Sequence, residues 1–219
     1  MRSFSVYRGA LLLVVCGLIL GVAACAKPYI SSSGDEMSET DLRLALHEIA
    51  CGGERAARYW ADRLDEFCHA GYPDVCGVLV YALTRVGRHG GSDYDLALGR
   101  MEYRTNTYGA FAYGYMLLTD KNDWRGAMTY LEKACYHDLY LACTHYGSVV
   151  VAHSLPGSDN AETGRNYWRM SCRAGEALGC FFLGQDLRER GLDGSEYLQR
   201  ACRLGYGAAC VEQKPAAGR

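Results

Sequence analysis

The chain has 219 residues, a length that fits one domain or one short array of repeats. Its formal net charge is −2, with 23 Lys and Arg against 25 Asp and Glu, and the basic residues do not cluster. This argues against a nucleic-acid-binding protein, which needs a basic face to displace counterions. Hydrophobic residues make up 49% of the chain, so it is not intrinsically disordered and can build a core.

The N-terminus has the pattern of an export signal. Arg2 and Arg8 precede an uncharged run over residues 9–24. This run is short for a membrane-spanning helix, which needs about 20 residues, and suits a signal peptide. The residues Val22-Ala23-Ala24-Cys25 resemble the lipobox of bacterial lipoproteins, which implies cleavage after residue 24 and lipid on Cys25. An ordinary signal peptide and an uncleaved anchor are the alternatives.

The segment after the lipobox predicts where the domain begins. Residues 25–40 are polar and aperiodic, so we expect a flexible tether between the lipid and a folded part over 41–213, with a disordered tail over 214–219. Ala26 stands where Asp would indicate retention in the inner membrane. We therefore expect an envelope protein of the periplasm or outer membrane, attached to the membrane through its lipid.

Eight of the 11 cysteines form four pairs with the same C-x7-C spacing. Such regularity in an exported chain predicts a disulfide bridge within each pair. A metal site is disfavoured because zinc knuckles are shorter and the histidines do not recur with the pairs. Cys51 belongs to none of these pairs and should be unpaired within the monomer. It is expected to be either a buried inert thiol or a reactive or intermolecular site. The pairs are Cys68 and Cys76, Cys135 and Cys143, Cys172 and Cys180, and Cys202 and Cys210.

The pairs mark an internal repeat. Aligning residues 131–147 with 98–114 reveals a unit without cysteines, in which Glu102 and Ala110 take the two cysteine positions. The first position of each pair then recurs at 68, 102, 135, 172 and 202. Five units of about 30 to 37 residues are typical of a solenoid.

Each unit has the pattern of two antiparallel helices joined to the next unit by the bridge. Apolar residues recur at helical spacing before and after each pair, and glycines at 114, 147 and 184 lie where a neighbouring helix can come close. We expect an all-α fold, a right-handed α-solenoid of about five disulfide-stapled units. Four acidic residues are predicted to cap helix starts: Asp93, Asp123, Asp159 and Asp193.

The last repeats resemble a known family. Residues 180–210 (CFFLGQDLRERGLDGSEYLQRACRLGYGAAC) are similar to the Sel1-like repeat, and residues 130–135, 167–172 and 197–202 share its Ala-Cys or Ser-Cys helix ending. The bridges resemble those of its cysteine-rich branch, the Helicobacter cysteine-rich proteins. The resemblance implies a TPR-like solenoid acting as a protein-protein interaction scaffold in the envelope, without a cofactor. Some cysteine-rich members are labelled β-lactamase-like, so a β-lactam-recognising enzyme is the alternative.

Motifs for catalysis are incomplete, so an enzyme is the less expected outcome. Ser158-Asp159-Asn160 matches the S-D-N motif of serine β-lactamases, but no serine has Lys three residues later and K-T-G is absent. We interpret S-D-N as a helix-capping loop. His47-Glu48 begins like the H-E-x-x-H zinc motif, but Cys51 occupies the place of the second histidine.

A binding face and a self-association edge are predicted instead. Aromatic residues such as Phe111 and Phe181 suit a binding face, but the alternative is that these two rings pack against the preceding helix. At the other end, the chain after Cys210 is too short for a full capping helix, so the helix over 194–203 should leave Leu198 or Leu204 uncovered for self-association. The candidate binding face, a mixture of aromatic, hydroxyl and polar side chains, is Tyr81, Phe111, Tyr115, Thr144, Gln185 and Arg188.

Overall fold

A computed structural model describes residues 29–30, 34–155 and 157–211. The predicted signal peptide over 1–24, the lipidation site Cys25 and the tail over 214–219 lie outside the described residues. Their boundaries therefore stay predictions.

Helices dominate the described residues, which confirms the predicted all-α solenoid. Each helix packs mainly on its neighbours in the chain, the arrangement expected of stacked helix pairs. The described part of the chain forms ten helices: α1 (Glu39–His69), α2 (Pro73–Arg85), α3 (Ser92–Arg100), α4 (Thr107–Thr119), α5 (Trp124–Tyr136), α6 (Tyr140–Ala152), α7 (Asp159–Arg173), α8 (Ala177–Glu189), α9 (Ser195–Arg203) and α10 (Gly207–Val211).

Helix α1 is broken by the glycine pair that follows Cys51. Gly53 has φ 64° and ψ −150°, a conformation that side chains disfavour, and it divides α1 into a leading segment (39–52) and a trailing segment (54–69). The leading segment starts with a capping box between Ser38 and Asp41. It folds back on the trailing segment, since Trp60 Nε1 donates to Glu48 Oε2 at 2.7 Å.

The stretch predicted to be a flexible tether contains local structure. Strand β1 (Tyr29–Ile30) pairs antiparallel with strand β2 (Glu36–Met37). Met37 is only 1% exposed, so the end of this stretch packs against the domain. Isolated apolar residues in a polar segment are a weak sequence signal, which is why the contact of Met37 was not predicted.

Disulfides join successive units of the solenoid. All four C-x7-C pairs are bridged within the pair, with Cα–Cα distances of 4.5 to 4.8 Å. Each bridge ties the end of one helix to the first turn or two of the next, as α1 to α2. In the unit without cysteines, Ala110 at the second position is fully buried, so apolar packing takes the place of the bridge.

Helix starts follow the predicted acidic caps in part. Asp123 caps α5 by accepting from the Gly126 N–H, and Asp193 accepts from the Ser195 N–H at the start of α9 at 2.9 Å, although the cap position there is Gly194. The caps of α3 and α7 are Gly91 and Ser158, so the prediction was wrong for Asp93 and Asp159, which lie in the first turns of these helices. An acidic residue in the first turn still interacts favourably with the positive helix end, which produces the same sequence pattern.

Glycines bring paired helices into close contact, as predicted for positions 147 and 184. A Cβ atom added to Gly147 would lie 2.7 Å from the carbonyl oxygen of Gly164 on α7. One added to Gly184 would lie 2.8 Å from Leu198 Cγ and 3.0 Å from the Gly194 oxygen. Any side chain at these positions would push the helices apart.

Basic residues on the second helix of a unit bind the end of the preceding unit, a feature that the repeat alignment did not reveal. Arg100 Nη1 donates to the carbonyl oxygens of Cys68 at 2.9 Å and His69 at 2.8 Å. Lys133 Nζ donates to the Arg104 oxygen, and Arg200 Nη2 to the Arg173 oxygen at 3.2 Å. These contacts satisfy carbonyls at or just beyond helix ends that have no partner within the helix.

The C-terminal end is better covered than predicted. Leu198 is 3% exposed because it packs against Gly184 of the preceding helix, so its placement on a free edge was wrong. Leu204 is partly buried, and Val211 at the end of α10 is 68% exposed. Self-association through this end stays a prediction, with Leu204 and Val211 as its apolar residues.

The close helix contact at Gly147 gives a stability test. We expect Gly147→Ala to lower the free energy of unfolding by about 1 to 3 kcal/mol, because the new methyl group meets the Gly164 backbone. Gly99→Ala is the matched control, since a Cβ there meets nothing within 4 Å and alanine favours a helix. Urea unfolding followed by circular dichroism measures both, and equal stability for the two variants would contradict the close contact.

Candidate binding site

The leading segment of α1 crosses the turns of several units. His47 Nε2 lies 3.8 Å from where a Cβ of Gly205 would stand, and α1 also packs on α8. Its apolar side is buried over Leu42, Ala45, Leu46, Ile49 and Ala50. The segment therefore lies along the array and links the first unit to the last two.

A small cavity lies beneath this segment. It has a volume of about 120 Å³ and is bordered by Arg43, Leu46 and His47 on one side and by residues 138–141 and 174–176 on the other. Burial has the largest effect on the Glu176 carboxyl and raises its pKa. The hydrogen bond that this carboxyl accepts from the Leu178 N–H acts in the opposite direction.

Half of the predicted binding face is buried. Tyr81, Phe111 and Thr144 are exposed by 1%, 0% and 0%, so they cannot touch a partner in this conformation. Tyr115 and Gln185 are partly exposed and Arg188 is exposed. The accessible part of the face therefore lies on α4 and α8.

Aromatic packing between helices explains this burial. The Tyr81 ring centroid lies 4.9 Å from that of Phe111 and 4.9 Å from that of Tyr115. Phe181 meets Tyr206 at 4.6 Å, so it also packs between units. These rings hold α2, α4 and the last repeat in place. Phe111 packs against an earlier helix, the alternative role considered for it, whereas Phe181 packs toward the following unit.

A polar cluster that sequence analysis missed lies next to these rings. It comprises Arg85, Tyr81, Tyr115 and His145, called here the Arg85 cluster. The guanidinium at the end of α2 lies beside the Tyr115 hydroxyl, and the rings of Tyr115 and His145 are 5.1 Å apart. The available signal was a cationic residue ending helix PDVCGVLVYALTR, whose middle residues are mostly apolar.

Two buried polar atoms of the cluster have no hydrogen-bond partner among the described residues. These are the Tyr81 hydroxyl oxygen and His145 Nε2. Burial, with the Arg85 charge as a second cause, lowers the pKa of His145 to about 4. His145 is therefore neutral at physiological pH.

Cys51 is unpaired, as predicted, among the described residues. Its sulfur lies 3.8 Å from His47 Nε2, and burial raises the pKa of the thiol to about 12. A protonated, partly buried thiol fits the inert role rather than the reactive one.

The motif-like residues have structural roles. The Ser158 hydroxyl accepts from the Ala161 N–H at 3.3 Å, so S-D-N forms the capping loop of α7 as interpreted from the sequence. Glu48 of the incomplete H-E-x-x-H pattern accepts the Trp60 indole N–H. Within the described ranges, no group of three or more His, Cys, Asp or Glu side chains could hold a metal ion.

In the part of the chain that the structure describes, none of the helices has the length and apolar character needed to cross a bilayer.

Comparison with solved structures identifies similar folds. The chain resembles a protective antigen of uropathogenic Escherichia coli that displays an SLR fold, with TM-score 0.53 and 15% identity, over 79% of this chain and 43% of the antigen. It also resembles a Sel1 repeat protein of Oxalobacter formigenes, with TM-score 0.51 and 16% identity, over 78% of this chain and 74% of that one. The chain thus spans less than half of the antigen's length.

These likenesses show the fold, a Sel1-type repeat solenoid. A scan against models of protein families and a search of curated proteins gave no match.

The low pKa of His145 predicts a pH dependence. Because the unfolded imidazole titrates near 6.5 and the folded one near 4, stability is fully present above pH 6.5 and is lost as the pH falls toward 4. The loss approaches about 3 kcal/mol at pH 4. Chemical denaturation of the wild type and His145→Gln across this range should differ by that amount, whereas the exposed His137→Gln control should follow the wild type. Parallel curves for all three would contradict the burial of a neutral His145.

Cys51 should resist alkylation in the folded protein. A thiol pKa raised from 9.0 to about 12 lowers the thiolate population at neutral pH about a thousandfold. Mass spectrometry of the Cys51 peptide after iodoacetamide treatment, without reduction, measures this in native and urea-unfolded protein. Equal labelling in both states, or a Cys51-linked dimer, would support the reactive role instead.

Proposed function

We propose that this chain is an exported protein-protein interaction scaffold of the bacterial cell envelope. The observation that carries the proposal is the partly exposed surface of Tyr115, Gln185 and Arg188, held on rigid stacked helices. Arg and Tyr are frequent at binding hot spots, and a solenoid offers an extended surface for them.

The fold and the bridges support this role. Sel1 repeats generally mediate contacts between proteins, and four structural disulfides indicate an oxidising compartment outside the cytoplasm. A β-lactam-recognising enzyme has less support, because the S-D-N serine is used to cap a helix.

The same proposal includes a lipid anchor at Cys25 and an outer-membrane location. Its support is the lipobox-like sequence Val22-Ala23-Ala24-Cys25 after an uncharged run. The polar stretch after Cys25 would leave the solenoid close to the membrane surface.

Crosslinking tests the scaffold role. Envelope protein captured by the wild-type chain after crosslinking should be lost with Arg188→Ala and retained with Arg58→Ala, a charge-matched change on the exposed side of α1. Quantitative mass spectrometry compares the three captures. Identical captures from both variants would contradict a role for this surface, and no enrichment above an unrelated exported protein would overturn the scaffold.

Metabolic labelling tests the anchor separately. Cells given an alkyne fatty acid should incorporate it into the wild-type chain and not into Cys25→Ala. The matched change Cys51→Ala should leave labelling unchanged. Equal labelling of all three chains, or none in the wild type, would overturn lipidation at Cys25.

A further inference from the structure

The leading segment of α1 is built as a helix in its own right. Its first turn is closed by the capping box between Ser38 and Asp41, and Glu39 binds Arg43 at 3.0 Å. Its apolar residues recur at spacings of three and four, the pattern of an amphipathic helix. The segment therefore carries its own helix start and its own packing face, which consists of Leu42, Ala45, Leu46, Ile49 and Ala50.

A single glycine joins this segment to the rest of α1. Gly53 has φ 64° and ψ −150°, a conformation nearly restricted to glycine, and a Cβ there would meet nothing within 4 Å. The chain is helical on both sides of Gly53. A change of φ and ψ at this residue therefore converts the folded-back pair into one continuous helix, in which the leading segment projects about 20 Å beyond the hinge.

The surface beneath the leading segment matches it in polarity and charge. Arg43 lies within electrostatic range of Asp138, and His47 within range of Glu176, so basic residues of the segment face acidic residues of the turns. The contact is not closely packed throughout, because the cavity of about 120 Å³ lies between the segment and the turns. The surface is thus a receptor for this segment, whichever copy of the chain supplies it.

Exchange of the leading segment between two copies keeps these contacts. When the segment of one chain lies on the array of another, its buried apolar side chains are covered again. The hydrogen bond that Trp60 donates to Glu48 is likewise re-formed between chains. The closed monomer and the exchanged dimer then differ only in the hinge conformation and in the entropy of association. A short, sharply turned hinge such as Gly53 promotes such an exchange.

We propose that two copies of this chain form a dimer by exchanging their leading segments, so that residues 39–52 of each chain lie across the turns of the other. Gly53 is the hinge, and the occupant of the surface beneath the segment is the same segment of the second copy. The inference goes beyond the proposed scaffold function, which depends on the surface of Tyr115, Gln185 and Arg188. It is also separate from self-association through the C-terminal end.

Thiol crosslinking between two variants tests the exchange directly. The full chain with His47→Cys is mixed with the full chain with Ala174→Cys, a position on the opposite wall of the cavity. The mixture is unfolded in urea with its disulfides intact, refolded, treated with a short bismaleimide and mapped by mass spectrometry. A crosslink between positions 47 and 174 can then form only between copies, and we expect it in a dimer fraction.

A third variant is the control for this crosslink. Gly99→Cys places a thiol at an exposed position of α3, where a Cβ meets nothing within 4 Å. Mixed with the His47→Cys chain, it should give no crosslink to position 47. Absence of the crosslink between positions 47 and 174, or an equal yield at position 99, would overturn the proposal.

Sedimentation velocity of the full chain over a range of concentrations tests the hinge. Gly53→Ala disfavours the closed turn about tenfold in each chain, and a dimer relieves two hinges, so the dimerisation constant should rise about a hundredfold. Gly191→Ala is the matched control. Its glycine has φ 73° and space for a Cβ but follows α8, so this change should leave the constant as in the wild type.

Three results would contradict the exchange. An unchanged dimerisation constant for Gly53→Ala, or the same rise for Gly191→Ala, would show that the hinge does not control association. A monomeric Gly53→Ala chain whose Cys51 reacts with iodoacetamide as fast as in urea would show that the segment detaches without binding a second copy. A dimer that is lost with Val211→Ser would assign the association to the C-terminal end instead.

Discussion

The structure depends on the inability of one helix pair to bury its own apolar surface. Each pair covers its core only by stacking on the next, so the junction between units determines the stability of the whole array. Two devices occur at these junctions: a disulfide such as Cys68–Cys76 and a basic side chain such as Arg100 on the preceding helix end. Within a pair, a glycine contact such as Gly147 against Gly164 brings the two helices close together. Rigid junctions in turn hold the binding surface in one geometry.

Sequence predicted most of the fold because its signals are periodic. The C-x7-C pairs recur, and the unit at Glu102 and Ala110 keeps the same helix pattern without them. Contacts between distant units left weaker traces. The leading segment precedes the first bridge, and nothing in its own sequence shows that His47 approaches Gly205.

The candidate site was predicted only in part, for a related reason. Helical spacing places Tyr81, Phe111 and Thr144 on the equivalent face of three successive repeat helices. It cannot say whether another helix covers that face, and in the structure all three residues are buried. Arg85 was overlooked because a basic residue at a helix end is usually explained by the helix dipole. The cluster around it becomes visible only in the structure, where Tyr81, Tyr115 and His145 come together from three helices.

Non-reducing peptide mapping of the protein isolated from its native compartment tests the central claim most directly, that the chain is an array stapled unit by unit in an oxidising environment. The account predicts peptides that join Cys68 to Cys76 and the three equivalent pairs, with Cys51 recovered as a free thiol. A bridge between different units, or the four pairs recovered as reduced thiols, would contradict it.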